Sequence, residues 1–374
     1  MELFFLNNNL IIIESLLLAF IVTYISIPSI VQVADLKHLY DEPNGRTSHD
    51  VVTPTLGGLA IFSGFVISTM IFVNIAEIVY VQFIIASIIV IFFLGLKDDI
   101  VGLSPMKKFI GQIIAAGIVI DLGGIKLYSL QGFAGIHGLD YYSGDLLSLF
   151  VIIAIVNAVN LIDGIDGLAS GVGILAASTF GFWFYLEGEI QLTILAAALV
   201  GGLMAFFRYN VFSKKNKLFM GDIGSLMLGF MLAIFAIQFI ELNRVSSSIY
   251  KLSSSPAIAI GILVLPIFDT VRVFVIRLAN GKSPFKPDKN HVHHYLLALI
   301  GSHRKSTALL LLVNVFFILL SFWLRDLSIF LLTGILFFLA AGLSFIPYQM
   351  VMNKRKKNTK KEKPKKGLWG LFGK

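Results

Sequence analysis

Long apolar segments, separated by short polar connections, occupy most of the chain. Many of them approach the ~20 residues that a helix needs to cross the hydrocarbon core of a bilayer. The pattern predicts eleven transmembrane helices, at residues 10–34, 55–76, 79–96, 108–121, 145–162, 168–186, 190–207, 223–240, 256–277, 307–324 and 327–350. We therefore predict an all-α polytopic membrane protein.

The overall composition agrees with this fold class. Of the 374 residues, 57% are hydrophobic and only 14% are charged, whereas a soluble domain is about half apolar and about a quarter charged. The segment from Leu10 to Ile27 is too long for a signal-peptide core and lacks a small-residue cleavage pattern after it, so we predict a retained first span. The chain has no cysteine, which excludes disulfides and thiolate chemistry.

The basic residues predict the orientation, because cytoplasmic connections carry an excess of Lys and Arg. With the N-terminus outside, 26 of the 30 Lys and Arg fall in cytoplasmic connections or in the C-terminal tail. We therefore predict a multi-span domain over residues 1–352 and a basic cytoplasmic tail over residues 353–374 that is too charged to fold alone. The net charge of +8 thus favours the lipid bilayer as a partner, and not nucleic acid.

Five polar clusters interrupt the apolar pattern, and with this orientation all of them lie on the cytoplasmic side. The central cluster, residues 157–171, carries two Asn and two Asp-Gly pairs at the end of a predicted span. Polar groups at such a place are costly to bury and usually functional, and glycines let the backbone approach a phosphate or sugar. A polar helix cap followed by a turn is the alternative, but the repeated Asp-Gly pairs favour a site.

Two further clusters contain carboxylates near predicted helix ends. The adjacent carboxylates of Asp98 and Asp99 repel each other, which suits a base beside a metal ion; a solvated helix end is the alternative. Asp222 precedes the eighth span, where it could bind a hard cation or, equally well, cap the helix.

The remaining two clusters contain histidines and turn residues. The segment Pro287 to His294 holds three histidines, which suit a phosphate or sugar, a zinc ion, or a solvated loop. The neighbouring lysines favour the first of these, the binding of a phosphate or sugar. The segment Asp41 to His49, running on to Thr53 through Gly58, is a turn-rich loop before a close-packed helix start.

The five clusters together indicate a reaction between a water-soluble anion and a lipid head group. Mg²⁺ prefers one or two carboxylates together with substrate phosphates, and these clusters supply the carboxylates. Phosphoryl transfer depends mainly on positioning and charge neutralisation, so it needs no activated Ser or Cys.

The motifs resemble those of the polyprenyl-phosphate N-acetylhexosamine-1-phosphate transferase family. The resemblance extends from about residue 35 to residue 305 and rests on Asp-Glu-Pro-Asn with Pro-Thr-Leu-Gly-Gly, Asp-Asp, Asn-x-x-Asn-x-x-Asp-Gly-x-Asp-Gly, Phe-Met-Gly-Asp-x-Gly-Ser and Pro-Asp-x-x-His-x-His-His. The His-x-His-His form is similar to the branch that starts O-antigen, enterobacterial common antigen and teichoic acid linkage synthesis. It is unlike the muramyl-pentapeptide branch.

The resemblance implies an eleven-span bundle in the bacterial cytoplasmic membrane, with its active site on the cytoplasmic side. It implies transfer of GlcNAc-1-phosphate from UDP-GlcNAc to undecaprenyl phosphate, release of UMP, and Mg²⁺ or Mn²⁺ as cofactor. Another UDP-N-acetylhexosamine is the alternative donor, and a homodimer is compatible with the resemblance.

The resemblance also implies catalytic and metal-binding roles. Asp222 would bind the metal ion, with Asn160 as its companion. Asp98 would deprotonate the lipid phosphate, and Asp99 would hold that phosphate or the ion.

The donor would be bound by a second set of residues. Asp163, Asp166 and Phe219 would frame the uridine, with Phe219 stacked on the uracil. Asn210 is a further uridine contact, although the loop 210–218 looks longer than usual and lacks the expected proline. The diphosphate or sugar would be held by His291, His293 and His294.

Two other functions fit the polar clusters less well. An ion-coupled transporter would place its carboxylates near the bilayer midplane between repeats, but here they lie at span ends and no repeat is visible. A CDP-alcohol phosphatidyltransferase would need Asp-Gly-x-x-Ala-Arg followed by spaced Asp residues, whereas Ala169 here is followed by Ser170.

Overall fold

The computed structural model describes residues 2–37, 39–41, 53–77, 80–281 and 291–362. Most of the turn-rich cluster (42–52), the start of the histidine motif (282–290) and the end of the basic tail (363–374) lie outside the described residues. The helices are α1 (Glu2–Lys37), α2 (Gly57–Phe72), α3 (Val81–Val101), α4 (Pro105–Gly117), α5 (Tyr141–Ile162), α6 (Leu168–Leu186), α7 (Ile190–Phe212), α8 (Gly221–Val245), α9 (Ser255–Ile262), α10 (Val264–Ala279), α11 (Val292–Ile300), α12 (His303–Trp323) and α13 (Ile329–Glu362).

Several helices are suited to a bilayer. In the part of the chain that the structure describes, seven are long and apolar enough to cross a membrane, and the bent pair α9–α10 would make an eighth. The predicted all-α polytopic membrane protein is confirmed at this level. Each of the eleven predicted segments falls on helical structure, with 108–121 covering α4 and a π-helical turn (Ile118–Leu122) and 256–277 covering α9 and α10. The number of spans and their orientation stay predictions.

The central helix of the bundle is α8. It packs against α2, α3, α5, α6 and α9, and 89% of its most apolar 18-residue window is buried. Because α8 is apolar on all sides, it gains most by being surrounded by other helices. The only titratable groups on it lie at its two ends, Asp222 in the first turn and Glu241 with Arg244 in the last turns. The position of α8 therefore fixes Asp222 at one end of the core.

The ninth predicted span is broken in the middle. The axes of α9 and α10 differ by 84° across Leu263. The break leaves backbone carbonyls without a helical partner, and the fully buried Asn314 of α12 donates a hydrogen bond from Nδ2 to the Ile262 carbonyl at 3.4 Å. Pro266, in the first turn of α10, needs no backbone N–H there. Because of the bend, α10 does not continue along the axis of α9 and packs close to α5 and α13.

A short β-ribbon precedes α2. Strand β1 (Tyr40–Asp41) pairs antiparallel with β2 (Thr53–Pro54). The chain then runs beside the segment before α8: Phe219 N–H donates to the Pro54 carbonyl at 2.7 Å, and Gly57 N–H donates back to the Phe219 carbonyl at 2.9 Å. The turn-rich motif thus holds the Phe-Met-Gly-Asp motif through backbone hydrogen bonds.

Candidate active site

A polar cavity of about 400 Å³ lies where the ends of α3 and α5 meet the start of α8. Five carboxylates lie in its wall, so the cavity favours cations. The three predicted histidines do not line it but lie beside it, at and just after the start of α11. The structure brings together the other eight predicted residues, namely Asp98, Asp99, Asn160, Asp163, Asp166, Asn210, Phe219 and Asp222.

The Asp222 carboxylate is available to the cavity. It accepts hydrogen bonds from Asn160 Nδ2 at 2.6 Å and from Lys108 Nζ at 3.1 Å. It accepts none from a backbone N–H of the described residues, so Asp222 does not cap α8 with its side chain. The capping alternative that the sequence left open is therefore wrong, and the Asp222 carboxylate bonds to the side chains of Lys108 and Asn160 in place of the helix start.

Asp99 caps α8 instead. Its Oδ1 accepts from Asp222 N–H at 2.8 Å, and its Oδ2 accepts from Ile223 N–H at 3.1 Å. A carboxylate in this place satisfies N–H groups that lack a helical partner and lies at the positive end of the helix dipole. Gly221 has a φ of +69°, and a Cβ on it would clash with the Thr55 carbonyl and Asp99, so this close approach requires glycine. Asp99 thereby sets the position of Asp222.

Lys108 is a site residue that the sequence did not single out. It lies in the first turn of α4 and forms ion pairs with Asp98 and Asp222, which joins the end of α3 to the start of α8. Its helix is held to α5 by a reciprocal amide pair, in which Asn157 Nδ2 donates to Gln112 Oε1 at 2.8 Å. A lysine at the start of a predicted span gives no signal in the sequence, because its partners are distant along the chain.

The predicted uridine side of the cavity contains an ion pair next to an aromatic ring. Lys217 Nζ lies 2.6 Å from Asp166 Oδ2 and 5.6 Å from the centre of the Phe219 ring. The ring and the carboxylate are thus adjacent, an arrangement that suits stacking and hydrogen bonding to a planar base. Lys217 was also not predicted as a site residue.

Residues outside the motif fix the Asp166 loop. Thr307 on α12 donates to the Asp166 carbonyl at 2.6 Å, and His303 Nδ1 accepts from Asp166 N–H at 3.3 Å. Asn210 joins the loop to the next motif, because Oδ1 accepts from Gly167 N–H at 2.6 Å and Nδ2 donates to the Leu218 carbonyl at 2.8 Å. Both polar groups of the buried Asn210 therefore position the loops, and its role as a uridine contact stays a prediction.

The three histidines form a cluster against the Asp-Gly motif. The rings of His291 and His293 stack with centroids 5.5 Å apart, and those of His293 and His294 lie 4.3 Å apart. His293 Nε2 contacts Gly164 so closely that a Cβ there would clash with it. Burial, with the charge of His294 nearby, lowers the pKa of His293 to about 3, so this imidazole is neutral.

Asp163 has an unusual electrostatic environment. It lies just beyond the end of α5, and burial raises its pKa well above the ordinary value, as do the nearby carboxylates of Asp222, Asp99 and Asp166. A carboxylate crowded in this way resists ionisation until a cation arrives. The cavity is therefore short of positive charge.

The donor set fits a magnesium ion that also binds substrate phosphates. Across the described ranges, no group of three or more His, Cys, Asp or Glu side chains has the geometry of a self-sufficient metal site. Asp222 and the Asn160 amide are hard oxygen ligands, which suits Mg²⁺ held by few protein ligands. The ammonium of Lys108, between Asp98 and Asp222, marks a place where two carboxylates share one cation.

Comparison with known proteins identifies relatives of this chain. Residues 81–240 match the family model described as glycosyl transferase family 4. The chain is 31% identical over 342 residues to a "Probable undecaprenyl-phosphate N-acetylglucosaminyl 1-phosphate transferase" of Bacillus subtilis (strain 168), covering 88% of this chain and 91% of the relative. It is 32% identical over 319 residues to a "Decaprenyl-phosphate N-acetylglucosaminephosphotransferase" of Mycobacterium leprae, covering 79% of each. An "Undecaprenyl-phosphate alpha-N-acetylglucosaminyl 1-phosphate transferase" of Escherichia coli O157:H7 is 28% identical over 284 residues, covering 75% of each.

Proposed function

The chain belongs to glycosyl transferase family 4, among the polyprenyl-phosphate N-acetylhexosamine-1-phosphate transferases, and we propose that it transfers GlcNAc-1-phosphate from UDP-GlcNAc to undecaprenyl phosphate. In this reaction an oxygen of the lipid phosphate attacks the phosphorus that carries the sugar. The bond from that phosphorus to the oxygen of UMP breaks, and UMP leaves. The observation that carries the proposal is the cavity with five carboxylates, which needs cations to hold two phosphorylated substrates.

The proposed roles of the residues follow from their positions. Asp98 lies beside Lys108 and takes a proton from the lipid phosphate when that phosphate enters protonated. Phe219 and Asp166 hold the uridine, and the histidines hold the diphosphate or the sugar. Asp222 and Asn160 would hold Mg²⁺, which when bound neutralises the diphosphate and stabilises the charge that develops on it. Asp99 keeps Asp222 in place through the start of α8.

A second cavity supports a lipid substrate. It has a volume of about 380 Å³ and is lined almost wholly by apolar side chains, most of them from α10, α11, α12 and α13, with Asp269 and His293 among its few polar lining residues. An apolar space with a few polar groups in its wall suits a lipid with a polar head group. The isoprenoid chain of undecaprenyl phosphate has this chemistry.

We propose eleven spans with the active site on the cytoplasmic side of a bacterial membrane. The ends of α3 and α5 and the start of α8 meet at the cavity, as alternate crossings require, and the distribution of Lys and Arg favours the cytoplasm for this side. A reporter fused after Lys374 should be active only if it works in the cytoplasm. Activity of a reporter that works only outside the membrane would contradict this topology.

The reaction is tested with the purified full chain, undecaprenyl phosphate, Mg²⁺ and a panel of UDP-sugars. We expect UMP release and a GlcNAc-diphospho-lipid product with UDP-GlcNAc. Preference for another UDP-N-acetylhexosamine would change the donor but keep the reaction. Absence of UMP release with the whole panel would overturn the proposed function.

A further inference from the structure

A buried carboxylate outside all five sequence motifs contacts the histidine cluster. Asp269 lies on α10, inside the predicted ninth span, and is only 6% exposed. Its Oδ2 is 2.9 Å from His291 Nδ1, and its Oδ1 accepts from Val292 N–H at 3.1 Å. Arg272, one turn further along α10, donates to Oδ1 at 2.8 Å. The carboxylate is thus shared by a histidine, a helix start and a cation.

These contacts determine how His291 is presented. A carboxylate only accepts hydrogen bonds, so the proton on this side of the ring must be on His291 Nδ1. The other nitrogen, Nε2, makes no hydrogen bond with any described residue and is left to a ligand. The bond to Val292 N–H fixes the start of α11 at the same time, and this start carries His293 and His294. Asp269 therefore controls both the tautomer of His291 and the position of the cluster.

We propose that Asp269 is a positioning residue of the transferase site, which holds His291 as the Nδ1–H tautomer with Nε2 directed to the diphosphate or sugar of the donor. The inference rests on the proposed function and adds to it a residue of α10 that acts through His291. Partners that orient a metal-binding histidine in this way commonly contribute about 10- to 100-fold to affinity or activity, and we expect an effect of the same order for a histidine that binds a diphosphate or sugar.

The Asp269→Asn variant separates positioning from simple packing. Asn has the same shape and one acceptor oxygen, so in the Oδ1 position it can keep the bonds from Val292 N–H and Arg272, but the amide nitrogen that replaces Oδ2 is a donor. When that nitrogen faces His291, the ring must move its proton to Nε2. We expect kcat/KM to fall by about 10- to 100-fold, with the chain still folded in detergent.

The control has the same local chemistry at a distance from the site. Glu241 on α8 also pairs with an arginine three residues later, Arg244, and also accepts a backbone N–H, that of Tyr128. Because its pair with Arg244 is more exposed, Glu241→Gln should lower the apparent unfolding temperature less than Asp269→Asn, and it should leave transfer near that of the unaltered chain. Equal losses of transfer in both variants would show that Asp269 acts only through stability.

Two measurements show whether Asp269 acts through His291. In the first, His291→Ala and the double variant with Asp269→Asn should have equal kcat/KM, because the Asn oxygen still accepts from Val292 N–H and no His291 ring is left to orient. Losses that multiply would overturn the proposal. In the second, ¹⁵N spectra of histidine-labelled full chain should show His291 as Nδ1–H, and as Nε2–H in Asp269→Asn, with the signal assigned by its loss in His291→Gln.

The spectra test the role of Asp269 independently of the proposed function. If the unaltered chain releases no UMP with any UDP-sugar, the proposed function fails, and the tautomer of His291 alone then decides whether Asp269 orients it. An unchanged tautomer in Asp269→Asn would overturn the inference even if the transferase reaction is observed.

Discussion

The two ends of α5 and α8 both carry charged side chains, but with opposite balances. At one end, which we call the opposite end, Lys126 pairs with Asp145 at 2.7 Å and Arg244 pairs with Glu241 at 2.6 Å, so each of these two carboxylates has its own cation. At the other, the site end, the cavity contains five carboxylates. The lysines paired with them in the described chain are Lys108 and Lys217.

The two ends also differ in how completely their polar groups are hydrogen-bonded within the protein. At the opposite end, Lys126 also lies over the Tyr141 ring at 3.5 Å, and Glu241 accepts from Tyr128 N–H, so the groups satisfy one another. At the site end, Asp166 Oδ1 and His293 Nε2 are buried and have no hydrogen-bond partner among the residues described. Buried polar groups without partners are costly. The difference indicates that the charged groups of the opposite end stabilise the fold, and it supports the proposal that substrates and a cation complete the site end.

The largest expected effect is the loss of the Asp222 charge. Asp222→Asn should lower transfer by at least about 10³-fold, the scale for losing a main charge-stabilising group. The variant should stay folded, because Asp99 caps α8 and Asn can still bond to Asn160. At the opposite end Asp145→Asn should destabilise the chain but retain transfer. UMP release near normal from folded Asp222→Asn would remove the distinction between the two ends.

A smaller effect is expected on the uridine side. Phe219→Ala should weaken UDP-sugar binding by about 1–3 kcal/mol, the range for a base stacked on an aromatic ring. Phe219→Tyr keeps the ring and should bind almost as well as the unaltered chain. Calorimetry with UDP-GlcNAc measures both variants, and equal losses in the two would mean that the ring only packs against the protein.

The smallest effect concerns the lysines. Without Mg²⁺, Lys108→Met should lower stability by only about 1 kcal/mol, the upper range for a partly exposed pair, and added Mg²⁺ should restore it by replacing the missing cation. Lys126→Met breaks a buried pair at the opposite end, so it should destabilise more, and Mg²⁺ should not help. Unfolding temperatures in detergent, with and without Mg²⁺, test this. A rescue of Lys126→Met by Mg²⁺ would contradict the comparison.

The sequence predicts well those features that depend on local pattern. Apolar runs predict the helices, and the polar clusters that interrupt them predict six of the eight residues found around the cavity, whereas Phe219 and Asn210 follow from the family resemblance. It fails where function depends on contacts between distant segments. Lys108 looks like an ordinary basic residue, and Asp269 lies inside an apolar segment, so only the folded chain shows their partners.

The role of the helix cap shows the same limit. From the sequence alone, Asp222 could either cap the helix or bind a metal ion, because an Asp at a helix start suits both roles. In the structure Asp99 caps the helix. It lies more than a hundred residues earlier in the chain and accepts hydrogen bonds from the N–H groups of Asp222 and Ile223. The break between α9 and α10 is likewise supported by Asn314 of α12, a residue that no local pattern connects to it.

We claim that the excess negative charge of the site end forms a binding site for a cation. Measuring Mn²⁺ binding tests this claim without the need for turnover. Electron paramagnetic resonance can count bound Mn²⁺ in the full chain with UDP-GlcNAc present, without relying on turnover. We predict bound Mn²⁺ in the unaltered chain and in Asp145→Asn, displaced by Mg²⁺, and its loss in Asp222→Asn. Equal Mn²⁺ binding by the two variants would contradict the claim.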